Sequence, residues 1–263
     1  MTSDTTRNIR PDREARRRTF ESGAATYDEV RPAWGEEPVD WMLDRPAGVL
    51  EVLDLGAGTG LGTRTVATLG HRVTALDPSA DMLAALTASL AELPSSAGPV
   101  ITRRASAEVL DDADGSLDAV TAFSSWHWFD GERTHPECAR VLRPGGVLAV
   151  AWHSWSDQVD WLRELGEITG TSEMIWDPER ALADRLPAVG GFGPVENAQF
   201  GQVSHLTPDD LVRLVSTWSP VAVREDREAV LDAVHELGTR EAGPGTTVTF
   251  EYVADCYRYR RLA

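Results

Sequence analysis

The sequence predicts an α/β fold organised as a doubly wound, mostly parallel sheet. Three observations predict it. Short apolar runs alternate with helix-patterned segments from Val49 onward, a glycine-rich turn directly follows the first of these runs, and the chain is long enough for one large core. With 263 residues, 42% of them hydrophobic, that core needs neither a disulfide framework nor a structural metal.

Residues 49–55 read as a buried strand. Residues 61–69 carry helical spacing and stop at Gly70, a residue suited to a left-handed helix end. Residues 72–76 are the second strand; after Pro78 the apolar positions Met82, Leu83, Leu86 and Leu90 recur at helical spacing, and that helix ends before Pro94. Residues 99–102 are expected as a third strand, 117–123 as a fourth and 137–142 as a helix. A fifth strand, 147–152, is entered through Pro144-Gly145-Gly146. Beyond Ser154 the alternation stops: 208–215 and 227–237 read as helices, 195–203 and 246–259 as extended segments. The last follows Gly243-Pro244-Gly245, is rich in β-branched and aromatic residues, and is expected as a late strand added to the sheet edge.

No interdomain linker interrupts this pattern, so one domain over 1–263 is expected. Residues 1–18, crowded with arginine, read as a flexible arm, and 155–190 with 204–240 as a helical insertion covering the carboxyl edge of the sheet as a substrate lid. The 42 acidic against 25 basic residues leave a net charge of −17, which argues against nucleic-acid backbones and anionic lipid as partners. Every basic residue is arginine, so Schiff-base and pyridoxal chemistry have no amine to use. The longest apolar run, 147–152, is far short of the roughly 20 residues of a membrane helix. Cys138 and Cys256 form no disulfide framework. A cytoplasmic protein acting on a small molecule, as a monomer or homodimer, is the expectation. The lysine-free composition rich in alanine, glycine and arginine fits a GC-rich bacterial genome.

The strongest chemical signal is Asp54-Leu55-Gly56-Ala57-Gly58-Thr59-Gly60, glycines between a strand and a helix, where absent side chains and positive φ let a ligand approach the backbone. The spacing is Gly-x-Gly-x-Gly; no Gly-x-Gly-x-x-Gly occurs between Gly56 and Gly70, which counts against a dinucleotide. Asp77 ends the second strand, where a carboxylate can accept from both hydroxyls of a ribose, or alternatively cap the helix starting at Pro78. His127, between Trp126 and Trp128 after the fourth strand, can act as a base toward an acceptor or stand as a neutral ring in an aromatic wall. A metal triad of His127, Asp130 and His135 is not expected, because Pro136 would disturb any helix there. His153, His205 and the aromatic residues Trp152, Trp155 and Trp161 are candidates for an acceptor pocket or for surface and packing roles.

Together with Leu76-Asp77-Pro78-Ser79, Ala105-Ser106-Ala107-Glu108 and Arg140-Val141-Leu142-Arg143-Pro144-Gly145-Gly146, the glycine turn resembles the class I methyltransferases that use S-adenosylmethionine. Residues 20–32 and Trp126-His127-Trp128-Phe129-Asp130 look like the small-molecule branch that includes trans-aconitate methyltransferase-like proteins. The resemblance implies a Rossmann-like, seven-stranded sheet with an antiparallel last strand. It implies that Gly56, Ala57 and Gly58 face the methionine part of the cofactor, with Asp54 bracing the turn, and that Asp77 holds the ribose. Pro78 and Met82 would pack on the adenine, Ala107 and Glu108 would lie at its amino edge, and Ser124 beneath the sulfonium. Tyr27, with Arg31 nearby, would close over the methionine end. Met82 can equally be core, Tyr27 a packed aromatic and Glu108 a solvated loop acid. The expected reaction is methyl transfer to a small-molecule carboxylate or hydroxyl, or to nitrogen. The rivals are a protein that binds S-adenosylmethionine or S-adenosylhomocysteine without transferring a methyl group, and a nicotinamide oxidoreductase.

Overall fold

The computed structural model describes residues 28, 30–44, 48–155, 159–172 and 190–263. Helix α1 (Glu36–Leu43) precedes β1 (Glu51–Leu55), α2 (Leu61–Thr68), β2 (Arg72–Asp77), α3 (Ala80–Ser89), β3 (Val100–Arg104), β4 (Leu117–Phe123), α4 (Gly131–Val141) and β5 (Leu142–Trp155). Then follow α5 (Asp160–Thr169), β6 (Glu196–Leu206), α6 (Pro208–Ser216), α7 (Ser219–Ala222), α8 (Arg227–Ala242) and β7 (Val248–Arg260). The seven strands form one sheet in the order β3-β2-β1-β4-β5-β7-β6. The ladders joining β3, β2, β1, β4 and β5 are parallel, and the last strands run antiparallel.

Each central strand alternates its side chains between two apolar layers, as a sheet covered on both faces requires. Along β1, Leu53 and Leu55 enter one cluster with Val120, Leu148 and Val150, whereas Val52 enters the other with Ala119, Ala149 and Ala151. Helix starts are set locally. The Ser79 hydroxyl accepts from the Met82 N–H at the start of α3, and Thr207 accepts from the Asp210 N–H ahead of Pro208 at the start of α6.

Three expectations require correction. Strand β7 is not at the sheet edge: it lies between β5 and β6, and β6 takes the edge, so the long β7 is paired on both sides. Helix α4 begins at Gly131, ahead of the expected start, and passes through Pro136. Pro136 and Glu132, whose carbonyl loses a helical donor there, are both exposed, so water can serve that carbonyl. The Pro144-Gly145-Gly146 turn falls within β5, where the register against β4 shifts between Leu117 and Ala119; Gly145 has φ 81 and the Gly145 N–H donates to the Arg261 carbonyl.

The chain divides into two compact units. One holds 32–154, 177–202 and 252–263, and therefore most of the sheet. The other holds 1–31, 155–176 and 203–251. In the second, α8 packs on α6 and α5, Trp155 stacks on Trp218 with centroids 4.8 Å apart, and Trp161 meets Phe250 edge-on at 5.5 Å. The arm at 1–18 lies outside the described residues, as do residues 173–189. Among the described residues no helix is long and apolar enough to cross a membrane, and both cysteines are free and buried.

Candidate functional site

Strand β1 pairs in parallel with β2 on one side and β4 on the other, so the strand order reverses at β1. In open α/β sheets the crevice outside the carboxyl ends of strands at such a reversal is the ligand site. Three segments of the first unit converge there: the glycine turn 56–60 after β1, residues 77–79 after β2, and 124–130 after β4.

Accounting for the backbone donors of the glycine turn defines its chemistry. The Gly56 and Ala57 N–H groups both donate to the Leu76 carbonyl, at 2.8 and 3.0 Å, and the Gly58 N–H donates to Asp77 Oδ2 at 3.0 Å. Gly60 N–H closes the turn on the Ala57 carbonyl at 2.9 Å. A pyrophosphate wants exposed N–H groups, and here four are taken up inside the protein, which leaves carbonyl oxygens and bare Cα surface for a ligand.

The three glycines answer three different constraints. A Cβ on Gly56 would lie 2.7 Å from Ser125 Cβ, so Gly56 admits the loop after β4. On Gly60, with φ 90, it would lie 2.0 Å from Leu86 Cδ1, so Gly60 admits α3. On Gly58, with φ 58, it would meet nothing within 4 Å, and this glycine borders open space.

Asp54 lies beneath the turn, fully buried, accepting from the Thr63 hydroxyl at 2.6 Å and the Thr121 hydroxyl at 3.0 Å. Burial pushes its carboxyl up to about 7; the two hydroxyl bonds pull the other way and the nearby negative charge of Asp77 adds to the rise. Its place ties α2 and β4 to β1.

Asp77 joins two of the three segments. One carboxylate oxygen takes the Gly58 N–H and the other the Ser79 N–H at 2.8 Å. The helix cap proper is Ser79, and α3 begins at Ala80 rather than Pro78, so capping does not account for Asp77. Met82, at 6% exposure, is buried at the first turn of that helix, and the Pro78 carbonyl accepts from Arg104 Nε at 3.1 Å.

On the β3 side Ala107 is buried in the apolar layer. The Glu108 carboxylate accepts from the Ser106 hydroxyl and, at 3.0 Å, from the Asp130 N–H. Partial burial raises its carboxyl but these bonds outweigh it, and the group sits below its ordinary range. Glu108 is thus not simply a solvated acid: it links the loop after β3 to the loop after β4.

After β4, Ser124 adopts φ 52, a left-handed conformation uncommon for a residue with a side chain, with its N–H on the Ala151 carbonyl at 2.8 Å. Ser125, buried, donates its hydroxyl to the Leu55 carbonyl at 2.6 Å and clamps this loop to the end of β1. His127 is exposed in the 3-10 turn Trp126–Trp128, and its Nδ1 accepts from the Trp152 indole N–H at 3.2 Å.

Arg31 belongs to the second unit, where its guanidinium donates to the Thr217 hydroxyl at 3.0 Å and the Thr217 carbonyl at 3.2 Å. Tyr27 lies outside the described residues. His153 stacks on Trp34 with centroids 3.9 Å apart, and His205 lies exposed near the Thr249 hydroxyl. Trp152 belongs to the first unit and meets Tyr257 edge-on at 6.1 Å, while Trp155 and Trp161 belong to the second. Among the described residues no group of three His, Cys, Asp or Glu side chains is placed to hold a metal. Sequence reasoning passed over Thr63 and Thr121, which hold Asp54, Ser125, which fixes the β4 loop, and Trp152 as a partner of His127. Only the serine at 79, directly before a helical pattern, carried a readable local signal.

Residues 53–150 match the family model described as a methyltransferase domain. The chain is 37% identical over 248 residues to an uncharacterised methyltransferase of Mycobacterium tuberculosis, covering 91% of this chain and 94% of that one. It is 29% identical over 230 residues to an uncharacterised methyltransferase of Schizosaccharomyces pombe, covering 82% and 87%. Among solved structures, a putative type II methyltransferase from Anaeromyxobacter dehalogenans shares the fold with a TM-score of 0.64 at 22% identity, covering 88% of this chain and 97% of that one.

Proposed function

Because the chain belongs to the methyltransferase family, as a class I enzyme dependent on S-adenosylmethionine, we propose that it methylates a small-molecule acceptor, with a carboxylate or hydroxyl oxygen favoured and nitrogen possible as the acceptor atom. The observation that carries the assignment of the cofactor cleft is the Asp77 carboxylate, held from both sides by Gly58 and Ser79 at the carboxyl end of β2. A carboxylate has about four lone-pair positions, so each anchored oxygen retains capacity for a ribose hydroxyl, and the anchoring fixes its direction.

The residues present fit the cofactor. With its N–H groups directed inward, the turn of Gly56, Ala57 and Gly58 presents carbonyl oxygens suited to the ammonium of a methionine moiety, and the space beside Gly58 admits it. Pro78 and Met82 supply an apolar surface for adenine, with Ala107 and Glu108 at its rim, and Ser124 takes the place beneath the sulfonium. When bound, S-adenosylmethionine supplies a methyl group on a positively charged sulfur. The protein then contributes orientation and exclusion of water, and proximity alone can supply about 7–11 kcal/mol. The net charge of −17 supports a small molecule over a nucleic acid as acceptor.

Calorimetric titration with S-adenosylmethionine, S-adenosylhomocysteine and NAD tests the cleft. Binding of both adenosyl ligands and not of NAD is the expected result, whereas adenosyl binding indifferent to Asp77→Ala would remove Asp77 from the site. Transfer of a labelled methyl group to candidate carboxylic acids, phenols and amines then identifies the acceptor atom.

A further inference from the structure

Resting on the methyl-transfer reading above, we propose that Trp152 is a positioning residue that holds His127 in the tautomer protonated on Nε2, which makes His127 a hydrogen-bond donor at the mouth of the cleft and not the base of the reaction. The two side chains come from neighbouring strands at the carboxyl edge: His127 follows β4, and Trp152 is near the end of β5, paired with it in parallel. The Trp152 indole N–H points at His127 Nδ1 at 3.2 Å. An indole nitrogen can only donate, so Nδ1 must accept and cannot carry a proton. A neutral imidazole carries one proton, which then resides on Nε2.

Trp152 is itself fixed. It is 7% exposed, packed in the apolar layer, and meets Tyr257 edge-on. For His127 to accept a proton at Nδ1, the indole N–H would have to give up its acceptor inside that layer, the unfavourable case for a buried donor. The consequence concerns proton balance. In methyl transfer the acceptor's electron pair forms the new bond to carbon as the carbon–sulfur bond breaks and its pair returns to sulfur. A hydroxyl acceptor must also lose a proton to some group, and His127 in this tautomer does not take it. An acceptor that arrives with its nucleophilic pair already unprotonated needs no such group.

The test uses the full-length protein labelled with nitrogen-15 in histidine and tryptophan, with His127→Phe to assign the His127 signals. Long-range nitrogen–hydrogen correlation spectra at pH 8 are expected to show the Nε2–H pattern for His127. Trp152→Phe, which keeps an aromatic ring but removes the indole donor and part of the ring volume in that layer, is expected to shift the Nδ1 resonance, and His127→Phe to shift the Trp152 indole resonance in return. An Nδ1–H pattern in the wild-type protein overturns the proposal, as does an Nδ1 resonance unmoved by Trp152→Phe. Should Trp152→Phe fail to fold, the wild-type tautomer and the response of the indole signal to His127→Phe decide the matter. These readouts need no acceptor and no cofactor, so their failure is distinguishable from a failure to bind S-adenosylmethionine or to transfer a methyl group.

Discussion

The two flanks of the crevice at β1 are built by different means. On the β2 flank the backbone does the holding: four N–H groups of the glycine turn are satisfied within a few residues of the turn or by the adjoining end of β2, and Asp77 fastens turn to helix. On the β4 flank side chains do it: Ser125 reaches the Leu55 carbonyl, Glu108 reaches the Asp130 N–H, and Trp152 reaches His127. A flank made of backbone bonds tolerates few changes of residue, because each glycine answers a steric or dihedral constraint. On the other flank each link depends on one side chain, so a single substitution removes it.

Substitutions in the glycine turn give the largest expected effect and can break the contrast outright. Gly60→Ala places a methyl group against buried Leu86 at a positive φ and should destabilise the protein by about 2–4 kcal/mol in urea unfolding. Gly58→Ala, equally at positive φ but facing open space, should cost only about 1 kcal/mol while weakening S-adenosylmethionine binding. Equal losses of stability in the two variants would contradict the steric account.

Asp54→Asn sharpens the comparison through pH. The carboxyl is near 4 in the unfolded chain and about 7 when folded, so the folded state prefers it protonated. The stability this provides is complete below about pH 4 and is lost as pH rises through about 7. Relative to wild type, Asp54→Asn should therefore gain stability between about pH 4 and about 7, by an amount of order 1 kcal/mol per pH unit, and level off above that, in urea unfolding run at each pH. A difference that stays flat with pH would mean that Asp54 is ionised in the folded protein.

Asp77→Ala should weaken binding of both adenosyl ligands at least tenfold, about 1.4 kcal/mol, by calorimetry. The smallest effect is expected on the opposite flank. Ser124→Gly relieves a left-handed residue but adds freedom to the unfolded chain, so thermal unfolding should change by less than about 1 kcal/mol. A large loss of stability there would show that the side chain, and not the backbone turn, is what position 124 requires.

Much of the central sheet was legible because its signals are local. β4 spans the residues expected, and β1, β2 and β3 differ from expectation by one or two residues at their ends. Their apolar runs have nowhere to go except a sheet covered on both faces. The glycine turn and Asp77 were legible for a similar reason: special dihedrals and a carboxylate at a strand end leave a mark in the residues themselves. Helix α4 was misjudged at its start because proline was weighed by its disruption of a helix interior, whereas here its exposed position lets water replace the lost bond. The edge placement of β7 failed because a strand's own pattern does not say which neighbours it takes.

By itself, then, the amino-acid sequence determined the alternation of strands and helices that makes a parallel sheet, the glycine turn and the acidic residue beside it, since each follows from propensity, periodicity or a dihedral requirement within a short window. The tertiary structure alone decided the order of β7 and β6, the pairing of Asp54 with Thr63 and Thr121, and the pairing of His127 with Trp152. Hydrogen bonds such as that of Ser125 to Leu55, 70 positions apart, depend on where strands meet in space, and no local pattern of residues encodes that meeting.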